Sequence, residues 1–336
     1  MKFLNVLCLL ATVSAGILLT GCNSCKTDAQ AENNLIGGAP VYDVFDGLVE
    51  INGVKIEMAK AFPGGVLIGS PASERGREED EKQDYVFFKK PFWIGKYEVT
   101  QEQWRAVMGP QYIDLDEMDA AMKKMGKEPI PWLQRAAIRF NNIAAFYTRI
   151  APDFMLPERL TPSEFKGDDR PVENVNWREA KAFCAKLNEL YASKLPRGYR
   201  FDLPTEYQWE YACRAGTTSA LNNNTHLRDL KHDCENLAEV AWYDYKGKGS
   251  KTHNVGLKRP NAWGIYDMHG NVFEWCRNPY NDYKPIKKKP YSTADYVIRG
   301  GSWYSNAKDC RSAYRHFYLS TYRRSYIGFR LALVSQ

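Results

Sequence analysis

The sequence has 336 residues, enough for one large domain or two small ones, and its composition is that of a globular protein with many aromatic residues. Its net charge of +6 is mild, and its basic residues are spread along the chain beside acidic runs such as residues 78–81. This pattern argues against nucleic acid as a partner, because a nucleic-acid-binding surface needs clustered lysine and arginine.

The N-terminus has the pattern of an export signal. The apolar stretch over residues 3–18 follows a short positive start and is too short for a membrane-spanning helix. Residues 19–22 then read Leu-Thr-Gly-Cys and resemble a bacterial lipobox, which implies acylation of Cys22. We expect a signal peptide over residues 1–21, a lipidated, flexible tether over residues 22–45, and anchoring at the bacterial outer membrane or cell surface. An ordinary secreted protein is the alternative.

Cysteines in an exported chain meet an oxidising compartment, where disulfide bonds form. The six cysteines that remain after signal removal and acylation have long, irregular spacings and no CxxC motif, so a zinc site is not expected. We expect one or two disulfide bonds, with a pairing that the sequence leaves open. The candidates that remain after signal removal and acylation are Cys25, Cys184, Cys213, Cys234, Cys276 and Cys310.

Short strands are the commonest predicted elements of the folded part. Residues 49–58 alternate around Asn52-Gly53, which is the signature of a β-hairpin. Residues 66–69 and 92–95 are short apolar runs typical of strands.

Helix-start signals appear at three further places. Thr100 is placed to cap a helix over residues 101–108, with a glutamine three residues after the cap. A second helix is predicted to start at Asn176 or the next residue and to run to position 190, and a third covers residues 206–214.

The rest of the chain is less regular. Residues 112–165 have helical spacing and are rich in alanine, methionine and lysine, so we interpret them as a helical insertion. After Gly216 the chain is rich in glycine, asparagine, tyrosine and tryptophan, which favours loops and short strands. We therefore expect an irregular α+β domain over residues 46–336, with function carried by its loops.

Eight motifs along the chain together carry a family resemblance. They occupy residues 65–70, 96–100, 171–177, 203–212, 261–268, 270–275, 299–303 and 328–332. In this order they resemble the sulfatase-modifying-factor domain, the fold of the formylglycine-generating enzyme. The resemblance implies a variant of the C-type lectin fold, loop-rich and with little regular secondary structure. It covers roughly residues 46–333 apart from the insertion.

The motifs also suggest structural roles. We expect large core side chains at Trp177, Trp209, Trp263 and Trp275. Asn271 and Glu274, with backbone carbonyls between them, resemble a calcium site of the family, since calcium prefers oxygen ligands. Hydrogen bonding without metal is the alternative, so no cofactor is required and calcium is expected only as a structural ion.

The catalytic thiols of the formylglycine-generating enzyme are not matched. That enzyme holds copper with two cysteines, five residues apart, after the motif found here at residues 300–302. Counted forward from residues 300–302, the positions equivalent to the two cysteines are Ser305 and Cys310. Counted back from residues 328–330, Cys310 no longer falls at the second of these positions. A serine hydroxyl is a poor ligand for Cu(I). We expect no enzyme activity, and we expect Cys310 to be a disulfide partner, with Cys213 as one candidate, or a buried thiol.

Residues 304–326 have the most unusual composition in the chain, with five tyrosines, four serines and four arginines. The pattern has neither period two nor period 3.6, so it is not predicted to form one face of a strand or helix. So many hydroxyl groups are hard to satisfy in a core, which indicates an exposed surface. Tyrosine, serine and arginine are the residue types of binding loops. A polar loop without a partner is the alternative.

A second resemblance concerns the same stretch. In the variable proteins of diversity-generating retroelements, adenines of AAC codons are randomised. The varied positions then cannot encode Trp, Met, Gln, Glu or Lys. The stretch contains none of the first four and a single lysine, Lys308, and it resembles the variable lipoproteins of treponemes. The resemblance implies a hypervariable region near residues 300–330, with scaffold residues at 310–313, Arg315 and Arg323. The expected varied, ligand-binding positions are Tyr304, Ser305, Asn306, Asp309, Tyr314, His316, Phe317, Tyr318, Ser320, Tyr322, Ser325 and Tyr326.

These features predict a surface-displayed lipoprotein that binds diverse ligands, protein or glycan on another cell, and acts as a monomer. Two alternatives are an extracytoplasmic oxidase of the formylglycine-generating type and a structural envelope lipoprotein of the same fold.

Overall fold

The computed structural model of the chain describes residues 45–109, 162–248, 251–280 and 294–336. All of them lie within one compact unit, Asp43–Gln336. The predicted signal peptide, Cys22, the tether up to residue 44 and the insertion from residue 112 to 161 fall outside the described residues. Within the described ranges, no helix combines the length and the apolar character needed to cross a membrane.

Short strands dominate the described part of the chain, as predicted. The strands are β1 (Leu48–Ile51), β2 (Val54–Ala61), β3 (Gly64–Ile68), β4 (Asp84–Phe88), β5 (Phe92–Gly95), β6 (Tyr199–Asp202), β7 (Ala241–Trp242), β8 (His269–Gly270), β9 (Phe273–Pro279), β10 (Asp295–Arg299), β11 (Arg315–Leu319), β12 (Ile327–Gly328) and β13 (Ala332–Ser335). The helices are α1 (Gln101–Met108), α2 (Trp177–Tyr191), α3 (Glu206–Arg214) and α4 (Glu235–Ala238).

Two larger sheets organise these strands. A five-stranded sheet has the order β1-β2-β5-β13-β6, and a four-stranded sheet has the order β11-β10-β9-β12. Two further sheets are two-stranded, β3-β4 and β7-β8. The strand β11 is therefore an edge strand, paired on one side with β10.

Local sequence signals explain several of these elements. The β1–β2 hairpin turns at Asn52 and Gly53, whose φ angles are 53° and 81°. Positive φ at both central residues is what a type I′ turn requires, and asparagine and glycine tolerate it best. The predicted hairpin over residues 49–58 is confirmed.

The three predicted helices are also confirmed, and each begins with a capping box. The caps are Thr100, Asn176 and Thr205, and each side chain accepts a hydrogen bond from the backbone N–H three residues later. Such a cap satisfies backbone donors that the first helical turn leaves without a partner, which fixes where each helix begins.

The core joins α1 and α2 to the sheets through aromatic side chains. Trp104 stacks on Phe183 with ring centroids 5.6 Å apart, and both are fully buried. The predicted core role is confirmed for Trp209 and Trp275, which are also fully buried. Trp177 and Trp263 are only partly buried and pack against the margins of the core clusters.

The described cysteines are free thiols. All five, Cys184, Cys213, Cys234, Cys276 and Cys310, are buried and unpaired. The expectation of a Cys213–Cys310 disulfide is therefore wrong, and the alternative of buried thiols holds. The sulfur of Cys213 lies 3.5 Å from the Ser312 hydroxyl, whereas Cys310 packs in a separate apolar cluster with Cys234. Burial raises the pKa of Cys213 to about 12, so its thiol stays protonated at neutral pH.

Candidate binding surface

Residues 304–326 contain a short 3-10 helix, an edge strand and the loops around them. The 3-10 helix is Ala307–Cys310, and β11 pairs with β10 from Asp295↔Leu319 to Arg299↔Arg315. The expectation that no strand runs through this stretch is wrong. Both faces of β11 carry aromatic or apolar side chains, so the alternation that marks a half-buried strand is absent from its sequence.

One face of β11 and the adjoining loops bring together a continuous group of rings, which we name the aromatic patch. Its members are Trp303, Tyr304, Tyr314, His316, Tyr318, Tyr322 and Tyr326. Tyr318 stacks on Tyr322 with centroids 4.4 Å apart, and the hydroxyls of Tyr318 and Tyr326 lie 3.2 Å apart. Tyr304 stacks on Tyr326 at 6.1 Å. The contacts make one surface of rings and hydroxyls rather than scattered side chains.

The patch is exposed on one side and supported by the core on the other. Tyr304 is 65% exposed, while Tyr314, Tyr318, Tyr322 and Tyr326 are partly buried and pack against the larger core cluster. Such a half-buried ring is held in one orientation and still presents an edge or a face to a ligand.

Burial favours the neutral forms of Tyr326 and His316, and a cation lies at the margin of the patch. Burial raises the pKa of Tyr326 to about 12, and burial lowers the pKa of His316 although Asp309 and Asp80 oppose the shift. The Arg324 guanidinium lies 4.0 Å from the centroid of the Tyr322 ring. The patch therefore offers ring faces, hydroxyl groups and a cation over a ring, which suits both stacking and hydrogen bonding.

Six of the predicted positions lie in the aromatic patch, and the other six are placed differently. Phe317 points to the opposite face of β11 and stacks on Tyr280 at 4.2 Å. Asn306 and Asp309 lie at the start and inside of the 3-10 helix, and the Ser325 carbonyl accepts a hydrogen bond from Trp303 Nε1 at 3.0 Å.

Ser305 and Ser320 do not reach the surface, contrary to their predicted place in a ligand-binding region. Ser305 is 7% exposed and its hydroxyl accepts a hydrogen bond from the Ser302 backbone at 3.0 Å. Ser320 is fully buried, and its backbone N–H donates to the Ala294 carbonyl at 3.0 Å. Both belong to the turns that hold the patch.

The sequence did not predict two contributors to this surface, Trp303 and Phe273. Trp303 was assigned to a scaffold motif, yet its ring lies 5.5 Å from Tyr304 and 5.5 Å from Phe165. Phe273 forms the floor under Tyr314 and Tyr326, at 6.4 Å and 6.5 Å. The only signal for Trp303 was its position directly before the unusual stretch.

Beneath the patch, the residues assigned to the scaffold have buried partners. Arg311 is fully buried and forms ion pairs with Glu74 at 2.8 Å and Glu81 at 2.5 Å. Arg315 pairs with Glu206 at 2.9 Å, with both side chains largely buried. These ion pairs fix the backbone on which the patch residues stand.

Arg299 adds a second anchor. It pairs with Glu210 at 2.6 Å and donates to the carbonyls of Ser312, Ala313 and Tyr314 at 2.8 to 2.9 Å. The guanidinium thus satisfies three consecutive backbone acceptors at the point where the chain turns toward β11. Arg323, at the other end, pairs with Glu179 at 2.7 Å.

The position of the copper site in the related enzyme has no thiol pair. Cys310 is fully buried, burial raises the pKa of its thiol well above the usual value, and a Cβ atom on Gly301 would lie 2.5 Å from its sulfur. Across the described residues, no group of three or more His, Cys, Asp or Glu side chains is arranged to hold a metal.

The predicted calcium ligands are engaged by nitrogen donors instead. The Glu274 carboxylate accepts hydrogen bonds from Arg330 at 2.6 and 2.7 Å and from Trp209 at 2.7 Å. The Asn271 amide donates to Glu98 at 2.6 Å, and its oxygen accepts from the His253 backbone at 2.9 Å. Because Arg330 neutralises Glu274, these side chains do not fit a cation, and the hydrogen-bonding alternative describes them.

Comparison with known families agrees with this geometry. The family model of the sulfatase-modifying factor enzyme 1-like domain matches residues 51–334 of this sequence. The chain therefore belongs to the sulfatase-modifying factor enzyme 1-like family, as the eight motifs predicted.

Relatives in this family include both enzymes and an inactive homologue. The chain is 31% identical to mouse inactive C-alpha-formylglycine-generating enzyme 2 over 270 residues, 73% of this chain and 74% of that protein. It is 28% identical to mouse formylglycine-generating enzyme over 192 residues, 52% of this chain and 47% of the enzyme, about half its length.

A solved structure gives the fold. Treponema denticola variable protein 1 is similar with a TM-score of 0.59 and 26% identity, covering 85% of this chain and 97% of that protein. The predicted α+β, loop-rich fold of the formylglycine-generating-enzyme type, a variant of the C-type lectin fold, is confirmed.

Proposed function

We propose that this chain is a ligand-binding protein that uses the aromatic patch as its recognition surface and is displayed on the bacterial surface through a lipid on Cys22. The observation that carries the proposal is the joining of stacked tyrosines, Trp303 and His316 on the exposed side of an edge strand. Family membership and the likeness to a variable protein of Treponema denticola support it.

The patch has the physical properties of a recognition site. Tyrosine brings a large contact area at a low cost in side-chain entropy, and arginine adds a cation that stacks or donates several hydrogen bonds. The rings rest on a backbone fixed by Arg299 and Arg311, so little ordering is needed when a ligand binds. Several stacked rings suit a flat partner surface, either protein or glycan, on another cell.

The same arrangement suits replacement of the patch residues. The large exposed side of Tyr304 and the partial exposure of the other tyrosines mean that smaller residues leave open surface rather than a closed cavity. We propose that the patch positions at the surface vary between copies of the gene, while the buried arginines, Cys310, Ser312 and Ala313 stay constant.

A catalytic role is not favoured. Ser305 stands where a copper ligand would be needed, and the Cys310 thiol is enclosed, with a raised pKa. The oxidase alternative predicts copper binding and turnover of a cysteine-containing peptide. A structural envelope protein of this fold predicts that loss of the patch tyrosines changes no binding.

A binding screen with two matched triple variants tests the proposal. The full chain is screened against an array of immobilised oligosaccharides and an array of purified extracellular proteins. Tyr318→Ala, Tyr322→Ala and Tyr326→Ala together are expected to weaken each hit by about tenfold or more, the usual effect of removing central aromatic contacts. Phe62→Ala, Tyr85→Ala and Phe87→Ala, which remove three exposed aromatic rings elsewhere on the surface, are the control and should keep every hit.

Two results would contradict the proposal. One is unchanged binding by the patch variant. The other is a wild-type chain that binds nothing on either array and instead binds Cu(I) and oxidises a cysteine-containing peptide, which would establish the oxidase alternative.

A further inference from the structure

The β3–β4 hairpin carries a second exposed group of apolar side chains, separate from the aromatic patch. Phe62 is 61% exposed, Tyr85 66% and Phe87 60%, and Leu67 is also exposed. Leu67 pairs with Tyr85 and Gly65 with Phe87, so Leu67, Tyr85 and Phe87 share the outer face of the hairpin, while Phe62 lies just before its first strand. We name this set the hairpin face. Large apolar residues grouped in this way mark an interaction site more often than an ordinary surface.

The hairpin face cannot turn inward, because the other side of the hairpin is fixed to the core. Phe88 stacks on Tyr211 with centroids 4.9 Å apart, and Val66 packs against the same cluster. The Tyr211 hydroxyl donates to the Phe62 carbonyl at 3.1 Å. A Cβ atom on Gly65 would collide with the Tyr85 ring, so glycine allows this ring to lie across the strand.

Lysines adjoin the hairpin face, one in space and two in the sequence. The Lys60 ammonium lies 5.4 Å from the Phe62 ring centroid, and the exposed Lys89 and Lys90 follow β4 directly. Asp84 is the single acidic residue in the segment from 82 to 90. Aromatic rings next to lysines are typical of segments that lie in the headgroup region of a membrane, where the rings sit at the interface and the lysines meet anionic phosphates.

The hairpin face lies close to the start of the described domain. The Phe45 ring is 5.5 Å from the Trp93 ring, and the Lys60 ammonium is 5.3 Å from Trp93 and 5.4 Å from Phe62. Residue 45 is the predicted end of the tether. A lipid on Cys22 would therefore hold this side of the domain near the membrane.

We propose that the hairpin face docks on an anionic phospholipid bilayer, with Phe62, Tyr85 and Phe87 at the headgroup level and Lys60, Lys89 and Lys90 on lipid phosphates. This inference rests on the lipid anchor of the proposed function, and it assigns that anchor an orienting contact from the folded domain.

Lipid quenching of a fluorescent label tests the docking. The full, exported chain, with Cys25→Ser, carries the label on Tyr85→Cys or, as a control, on Tyr304→Cys. The two tyrosines are matched in exposure, at 66% and 65%, and the five described cysteines are buried and do not compete for label. The probe is a vesicle of phosphatidylcholine and phosphatidylglycerol that contains a spin-labelled lipid. Flotation of the vesicles measures anchoring separately.

We expect the label at position 85 to lose about half of its fluorescence or more and the label at position 304 to keep it. The additional changes Lys89→Gln and Lys90→Gln, or vesicles of phosphatidylcholine alone, should reduce the quenching at position 85. Equal quenching at both positions, or none at position 85, overturns the docking. If a chain without quenching at position 85 still floats with the vesicles, only the docking is contradicted and the lipid anchor of the proposed function is retained. If that chain does not float, the lipid anchor is contradicted as well.

Discussion

Two sets of side chains alternate along residues 304–326, and they meet opposite environments. Arg311, Ser312 and Ala313 are at most 1% exposed and hold ion pairs or backbone contacts, whereas Tyr304 is 65% exposed and its neighbours in the aromatic patch are half-buried. The difference shows how one segment can carry a fixed frame and a replaceable surface.

Arg311→Ala should lower the free energy of unfolding by about 3 to 5 kcal/mol, because it leaves Glu74 and Glu81 buried without their cation. Arg324→Ala, in the exposed margin of the patch, should change it by less than about 0.5 kcal/mol. Chemical denaturation of both variants measures the difference. An equal loss of unfolding free energy in the two variants would mean that the buried frame and the aromatic patch do not differ in their contribution to stability.

The contribution of His269 to stability should fall as the pH drops from about 6.5 toward 4. Burial lowers the pKa of His269 to about 4, and its Nε2 accepts a hydrogen bond from the Asn222 backbone at 3.0 Å, so the native state holds this ring neutral. The unfolded chain binds the proton first, and the loss from this group is on the order of 3 kcal/mol. His269→Gln should flatten the pH dependence measured by denaturation, and the exposed His226→Gln should not. Equal pH dependence in His269→Gln and in the unchanged chain would contradict this role of His269.

Ser320→Tyr should cost about 1 to 3 kcal/mol, because the position is fully buried and has no room for a ring. Ser325→Tyr, at a partly exposed position five residues later, should change stability by less than about 0.5 kcal/mol. Thermal unfolding of the two variants compares them. If Ser320→Tyr leaves the stability unchanged, Ser320 would again count among the varied, ligand-binding positions.

The smallest effect concerns the stacked pair Tyr318 and Tyr322. A double-mutant cycle with serine should give a coupling energy of about 0.5 to 1.5 kcal/mol, which is the range for packed aromatic pairs. Tyr85 with Tyr322, which lie in different parts of the domain, should show no coupling. Zero coupling for Tyr318 with Tyr322 would mean that the patch is a set of independent rings.

The sequence predicted the local parts of the fold well, because their signals are local. The caps at Thr100, Asn176 and Thr205 and the turn at Asn52-Gly53 were visible in short windows. The family motifs, taken in order, predicted the fold that joins these parts.

The candidate site was predicted in composition but not in arrangement. The aromatic composition of residues 304–326 was plain, yet β11 was missed, since an edge strand with aromatic residues on both faces shows no alternation. The burial of Ser305 and Ser320 and the separation of Cys213 from Cys310 depend on tertiary contacts that no short window of sequence contains.

We propose that the surface positions of the aromatic patch vary on a fixed frame in order to bind ligands. Sequencing the 3′ end of the gene across a cell population, together with the neighbouring DNA, tests it most directly. We expect changes confined to codons ending in C or T at positions such as Tyr304, Tyr318 and Tyr322, and constant codons for Arg299 and Arg311. We also expect a near-copy carrying adenines beside a reverse transcriptase. An invariant 3′ end with no such copy nearby would contradict it.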